Sequence, residues 1–397
     1  MKKDHSHTDV DEPEIRILLW APFGAGTHYW GPGTSAYRLI QKAPESLSFD
    51  LVHGFPPQVP TDVFDNEYCL GDLRDINPWK LARFLMNGKK WLKQNAQNFD
   101  YFYGLGLFHQ TVLPAYWAEN FGLPATVKTT GLGGGLGRQN TLSKILGLAK
   151  KRKKMLGQIS HIVALSAEIE EEMKAHGFNY PRLVRIPNGV DTERFQPVES
   201  SEARTALRTE LGLPDRFTLL FVGGMSSRKQ PMLVLRILAE LKSKGQTNIQ
   251  AVFVGPEREE GLLRSFKEEM KRLDLSEDVI HIDHTEEVER YYQASDCYLL
   301  LSKNEGMSNA LLEALACGLP SIVTPASGSR DLIGDDEAGI IVESHEIDKA
   351  VDYVMNLMQD ESKVAQVSRQ ARARILDTFS YASVWDAYLK ECFSASS

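Results

Sequence analysis

The stretch Phe217-Thr218-Leu219-Leu220-Phe221-Val222-Gly223-Gly224 decides the fold. It is a near-continuous apolar run closed by two glycines, with no alternation of apolar and polar positions. Strands buried on both faces look like this, as in parallel sheets covered by helices. The run is followed by a helical pattern, Met232–Lys244, stopped at Gly245. The same succession continues with strands at Ile249–Val254, Val279–Asp283, Cys297–Ser302 and Ser321–Thr324. Helices are predicted between them at Leu262–Leu273, Val288–Ala294 and Asn309–Cys317.

Upstream the chain has already run through one such series. Strands are predicted at Ile15–Phe23, Phe49–Phe55, Tyr68–Leu73, Phe99–Gly104, Ala125–Thr130 and His161–Ser166. Helices are predicted from Thr34, over Pro78–Gln94 (with Trp79, Leu81, Phe84, Leu85, Trp91 and Leu92 as its apolar positions), and over Thr111–Phe121, Leu142–Gly157 and Ala167–His176. Two β-α series in one chain of 397 residues imply an α/β protein of two doubly wound, Rossmann-like domains facing across a cleft. The expected organisation is a flexible tail over 1–14, a first domain over 15–198 and a second over 199–376. A C-terminal helix over 377–397 is expected to cross back to the first domain. Ligands in such sheets sit beyond the carboxyl ends of the strands.

Composition removes several classes. Forty-five basic against 53 acidic residues give a net charge of −8, which argues against a nucleic-acid partner. Cys69, Cys297, Cys317 and Cys392 form no C-x-x-C pair and match no zinc spacing, so a reducing, cytoplasmic setting is expected. No apolar run approaches the roughly 18 residues a membrane span needs. Met1–Glu14 is polar and does not read as a signal peptide. His5, His7 and the Asp9-x-Asp11 pair read as tail residues rather than metal ligands. No metal and no cofactor are expected.

Chemistry concentrates in Ser302–Pro320. Glu305 and Gly306 turn the chain after a strand, and Ser308 is placed to cap a helix. The backbone N–H groups of Met307, Ser308 and Asn309 then form an anion site of the kind phosphate uses. Glu305 precedes that site and Glu313 follows it. Two readings stay open on spacing alone: a capped helix with two surface glutamates, or two carboxylates accepting hydroxyl hydrogen bonds from a ligand with a diphosphate at its middle.

Glu305-x7-Glu313, followed by Ala314, Gly318 and Pro320, resembles the motif of the retaining nucleotide-sugar glycosyltransferases of family four, the group 1 glycosyltransferases. Arg185-Ile186-Pro187-Asn188-Gly189-Val190-Asp191 resembles their interdomain segment. Phe221 to Lys229 resembles their glycine turn and phosphate-binding lysine. The resemblance covers about residues 15 to 393 and is specific in the second half. It implies the GT-B fold, no obligatory metal, a nucleoside-diphosphate sugar as donor, and a glycan or lipid-linked acceptor. Residue by residue, it implies that Glu305 contacts the transferred sugar, Glu313 the ribose hydroxyls and Lys229 the diphosphate, with Arg228 adjacent. Asp331 matches a glutamate in a loop beside the nucleotide. Asn188, Gly31, Gly33, Gly224, Thr130 and Gly131 are further expected substrate contacts.

Two positions depart from the family pattern. Gly224 stands where many members carry arginine, and Thr130 stands where a histidine is frequent. They leave a second reading, a degenerate protein that binds nucleotide or glycan without turnover. A third, nicotinamide dehydrogenase reading rests on Gly31-x-Gly33-x-x-Ala36. It fails because the glycines come late after the first strand and Asp50 stands at the start, not the end, of the second. Lys144 and Lys150-Lys151-Arg152-Lys153-Lys154 put six positive charges in a stretch without an acid. The segment Lys144–Lys154 reads either as a solvated helix face or as a peripheral contact with the inner face of an anionic membrane.

Overall fold

A computed structural model describes residues 15–26, 30–55, 63–131, 148–335 and 337–394. His5, His7, Asp9, Asp11, Lys144 and the glycine-rich segment after Gly131 lie outside the described residues. The chain divides into two compact units. One comprises Met1–Ala164, Met173–Val184 and Ala387–Ser397, and the other Leu165–Glu172 and Arg185–Asp386.

The first series runs β1 (Ile15–Trp20), α1 (Gly31–Ile40), β2 (Leu47–His53), β3 (Asn66–Cys69), α2 (Pro78–Asn95), β4 (Tyr101–Leu105), α3 (His109–Asn120), β5 (Ala125–Lys128), α4 (Leu148–Leu156), β6 (His161–Ala164), α5 (Ala167–Ala175) and β7 (Leu183–Arg185). The sheet order is β3-β2-β1-β4-β5-β6-β7, with β1 parallel to both β2 and β4. Ile17, Leu18, Leu19 and Trp20 have no solvent exposure, as a strand covered on both faces requires. On one face Trp20 stacks on Phe102 at 5.6 Å and meets Phe84 of α2 edge-on at 5.7 Å. On the other, Tyr103 shares a 2.8 Å hydroxyl contact with Tyr388, and Phe393 packs against Tyr101. The last residues of the chain thus belong to the core of the first unit.

The second series runs α6 (Ser201–Glu210), β8 (Phe217–Val222), α7 (Pro231–Ser243), β9 (Ile249–Val254), α8 (Leu262–Arg272), β10 (Val279–Ile282), α9 (Val288–Ala294), β11 (Cys297–Leu300), α10 (Asn309–Ala316), β12 (Ser321–Val323), α11 (Ser329–Ile333), β13 (Gly339–Ile341), α12 (Ile347–Gln359), α13 (Glu361–Arg374) and α14 (Tyr381–Glu391). Its sheet order is β10-β9-β8-β11-β12-β13. Phe221, Phe253 and Phe266 form a buried aromatic row between the sheet and α8. In both sheets the strand order reverses beside the first strand of the series, between β1 and β4 and between β8 and β11. Such switch points open a crevice at the carboxyl ends where ligands bind.

Three expectations change. The first helix starts at Gly31, not Thr34, so Gly31 and Gly33 lie in its first turn rather than in a loop before it. A Cβ at Gly33 would lie 2.2 Å from the carbonyl oxygen of Gly24, so the close backbone approach it permits is to the chain itself. Trp79, counted among the apolar positions of its helix, points outward and is 86% exposed, because it lies on the side of α2 opposite Phe84, Gly88 and Leu92. Among the described residues no helix is long and apolar enough to cross a membrane.

One buried group stands apart. Lys128 is 5% exposed at the end of β5, its Nζ 5.9 Å from the centre of the Tyr388 ring, and no ion pair reaches it among the described residues. Burial pushes its ammonium down to about 7. The unfolded chain, with the ordinary lysine value, binds more protons between about pH 7 and pH 10, so this residue makes stability rise with pH across that window. Lys128→Met is therefore expected to raise the melting temperature at pH 7, by up to ~4 kcal/mol in stability. That gain should shrink as the pH is raised toward 10, as thermal denaturation at a series of pH values would show.

Candidate functional site

The switch point of the second sheet brings the two best motif segments together. β8 ends at Val222 and runs into Gly223–Lys229, and β11 ends at Leu300 and runs into Ser302–Ser308. Backbone hydrogen bonding joins the two loops, from Lys303 N to the Arg228 carbonyl at 2.8 Å. On its other side the β8 loop is held by the loop after β9. Met225 N donates to the Pro256 carbonyl at 2.8 Å and Arg258 N to the Met225 carbonyl at 2.9 Å. Glu259 accepts from Ser227 N at 2.6 Å and from Ser227 Oγ at 2.7 Å. The packing is backbone on backbone: Gly255 has φ +143°, and a Cβ there would lie 2.2 Å from the Gly223 carbonyl oxygen.

This frame presents three charges. Glu305 Oε1 lies 2.6 Å from Lys229 Nζ and 2.8 Å from Arg228 Nη1, and Arg228 Nη1 also donates to the Asn304 carbonyl at 2.7 Å. The Lys229 and Glu305 side chains are nearly buried, whereas half of Arg228 stays exposed. Burial would raise the Glu305 carboxyl, but the charges of Lys229 and then Arg228 outweigh it and hold the group below the ordinary carboxylate value. The carboxylate is therefore ionised and leaves one net positive charge.

Beyond the turn, Ser308 caps α10 by accepting from Leu311 N at 3.3 Å. The N–H groups of Met307, Ser308 and Asn309 carry no hydrogen bond among the described residues. Glu313, on the second turn of α10, is 7% exposed. Tyr292 Oη lies 3.0 Å from Glu313 Oε2 and 3.1 Å from the Ala310 carbonyl, anchoring the carboxylate from inside. Burial and then the Glu313 charge push the Tyr292 hydroxyl far up, so it remains a donor. The fully buried ring of Tyr298 packs on Tyr292, and its own hydroxyl is pushed up by burial and then by Glu305 and Glu313.

Other expected site residues have protein partners. Asn188 Nδ2 donates to the Met307 carbonyl at 3.3 Å and to Asn309 Oδ1 at 3.1 Å, so this residue braces the Gly306–Asn309 turn. Asp331 Oδ2 accepts from Ala167 N at 2.7 Å at the start of α5. Gly224 makes room for Arg258: a Cβ there would meet the Arg258 Cγ at 2.4 Å. In the first unit, Thr130 and Gly131 follow β5 and are half-buried. Tyr292, Arg258 and the Ser227–Glu259 brace escaped sequence reading. Tyr292 sits in a helix whose apolar pattern accounts for it as core, and the brace spans 32 residues. Among the described residues no group of three His, Cys, Asp or Glu is placed to hold a metal.

Residues 203–374 match the family model described as "Glycosyl transferases group 1". They are a group 1 glycosyltransferase domain. The whole chain has the GT-B fold of solved structures to which it has little sequence likeness. A glycosyltransferase from Rickettsia africae ESF-5 superimposes with a TM-score of 0.79 at 16% identity, covering 96% of this chain and 100% of that one. Anabaena Alr3699/HepE in complex with UDP gives 0.76 at 14% identity over the same shares. Among curated relatives, a D-inositol 3-phosphate glycosyltransferase of Xylanimonas cellulosilytica is 28% identical over 217 residues, 53% of this chain and 51% of that protein. A GDP-mannose-dependent alpha-(1-6)-phosphatidylinositol monomannoside mannosyltransferase of Mycolicibacterium smegmatis is 24% identical over 247 residues, 60% and 63% of the two chains. The chain spans about half the length of the first curated relatives it matches.

Within the glycosyltransferase domain the Glu305 charge is what makes two adjacent cations tolerable. Glu305→Gln leaves Lys229 nearly buried without its counter-charge and is expected to lower stability by up to ~3 kcal/mol. Inorganic diphosphate should restore the melting temperature of this variant and raise that of the wild type less. A melting temperature that falls and does not respond to diphosphate would mean that the cations do not face an anion site.

Proposed function

We propose that the protein transfers a sugar, a hexose by its family, from a nucleoside-diphosphate sugar to an acceptor hydroxyl with retention of anomeric configuration. The observation that carries this reading is the pairing of Lys229 and Arg228 on a single oxygen of Glu305, beside the capped start of α10. As the bond between sugar and diphosphate breaks, negative charge grows on the leaving nucleoside diphosphate. Lys229, Arg228 and the N–H groups of Met307, Ser308 and Asn309 are fixed in advance where that charge would form, so they lower the barrier without reorganising. In this reading Glu305 passes its two cations to the phosphates and turns to the sugar. Glu313, held by Tyr292, accepts from the ribose hydroxyls. Retention rests on the family resemblance.

UDP and GDP, named in the solved structure and the relative above, are the first donor bases to test. The acceptor class is a glycan or a lipid-linked glycan. A lipid-linked acceptor would be met on the inner face of a membrane, and Lys150, Lys151, Lys153 and Lys154 stand exposed on α4 to meet anionic lipid. The four cysteines are free, in keeping with a reducing, cytoplasmic setting. The second reading, nucleotide binding without turnover, is favoured by the two departures from the family pattern, Thr130 and Gly224.

A thermal-shift panel of UDP, GDP, ADP, CMP and NAD, followed by a donor-consumption assay on the matching nucleotide sugar, separates the two. Glu305→Ala is expected to abolish consumption while nucleoside diphosphate still raises its melting temperature. Lys229→Ala should weaken nucleotide binding by roughly 10- to 100-fold, the value of one charge-assisted hydrogen bond, and reduce transfer with it. Full turnover by Glu305→Ala would overturn its role. A nucleotide-induced shift with no donor consumption in the wild type would establish the second reading.

A further inference from the structure

We propose that the helical layer α2–α3–α4 of the first unit is a docking face for an anionic lipid bilayer, centred on α2. The buried side of α2 carries Phe84, Gly88 and Leu92. The opposite side presents Trp79, Arg83, Met86, Lys90 and Lys93, at intervals of four, three, four and three residues. That spacing keeps them in one stripe along the helix, about 21 Å from end to end. All five are exposed, Trp79 at 86% and Met86 at 66%, and Ile76 just before the helix is 50% exposed. A tryptophan so open to water has no packing role in this unit.

The charge of the face is as marked as its exposure. α2 holds Lys80, Arg83, Lys89, Lys90 and Lys93 and no acid, in a chain whose net charge is −8. Lys80 is drawn toward Asp72, which also holds Arg74, while Asp75 precedes the helix. Arg83, Lys89, Lys90 and Lys93 remain on the stripe or beside it. α3 packs between α2 and α4 on the same side of the sheet, so the outer faces of the three helices look the same way. Lys89 lies over the ring of Trp117 of α3 at 5.5 Å, and α4 adds Lys150, Lys151, Lys153 and Lys154, all exposed.

A single-stranded nucleic acid would satisfy the lysines and stack a base on Trp79 but leaves the aliphatic Met86 and Ile76 unexplained. A bilayer surface takes both. Indole and thioether settle among headgroups and upper acyl chains, and long basic side chains reach lipid phosphates while their stems stay apolar. Docking is independent of the proposed transfer reaction. It deepens that reading by giving a lipid-linked acceptor its surface, and it can be read without turnover.

The test is co-sedimentation of the full chain with vesicles of phosphatidylglycerol and phosphatidylcholine, against vesicles of phosphatidylcholine alone. Binding is expected to the mixed vesicles only and to fall with added salt. Each lysine near the surface contributes about fivefold, so Lys89→Gln, Lys90→Gln and Lys93→Gln together should weaken binding about 100-fold. Trp79→Ser with Met86→Ser should weaken it further, with nucleotide-induced melting shifts unchanged in both variants. Equal binding to the neutral vesicles, or full binding by both variants, would overturn the proposal. So would binding to a single-stranded oligonucleotide as tight as to vesicles, which would make the face a polyanion site.

Discussion

A single carboxylate oxygen holds two cations at the carboxyl end of the second sheet. Without Glu305, Lys229 and Arg228 would place like charges side by side, one of them nearly out of water. With it, the loops after β8 and β11 close on each other across the switch point, and the loop after β9 fixes the first through Met225, Arg258 and Glu259. The strand order creates this meeting. β8 and β11 are neighbours in the sheet although their starts, Phe217 and Cys297, are 80 residues apart, so loops with no sequence proximity share one crevice. In the reading proposed above, a phosphate would take the place of the carboxylate as the partner of both cations.

Much of this was legible in the sequence, for a physical reason. Strands covered on both faces need continuous apolar runs, and β9 and α9 have the bounds their residues predict. The pair Lys229 and Glu305 was legible only as motif members, each beside its own glycine turn. Not all that escaped reading has a weak signal, since α12 repeats Ala350, Val351, Val354 and Leu357 at helical spacing, but most of it does. β7 has three residues, and α6 and α13 are polar helices whose apolar stripes are thin. Tyr292 reaches Glu313 across 21 residues and two turns of chain, a contact spacing cannot express. Trp79 misled in the opposite direction. Counted as one more apolar position, it marks the outer side of α2, and only the angular position of each residue separates the two faces.

Gly224 shows how a departure from a family pattern can be structural. A side chain there would collide with Arg258, which crosses the loop at that point. The missing arginine at 224 and the arginine at 258 are therefore alternatives for the same space. Arg228 supplies a second cation beside Lys229 from within the loop, so the positive charge of the site survives the loss of a side chain at 224.

Buried carboxylates in both units have partners, Asp50 in the first through Arg16, Asn66 and Tyr68, and the exception is a buried amine. In the second, Glu305 and Glu313 are buried with partners on the protein, so each carboxylate is oriented before any ligand arrives. In the first, Lys128 is buried over Tyr388 with no ion pair among the described residues, at the end of the strand that leads to Thr130 and Gly131. A charged amine there is disfavoured, so the unit is more stable with Lys128 neutral, and its cationic character is carried outside, on α2 and α4, where water or lipid can solvate it. The buried ends of the strands and the outer face of the helices thus divide the work between them.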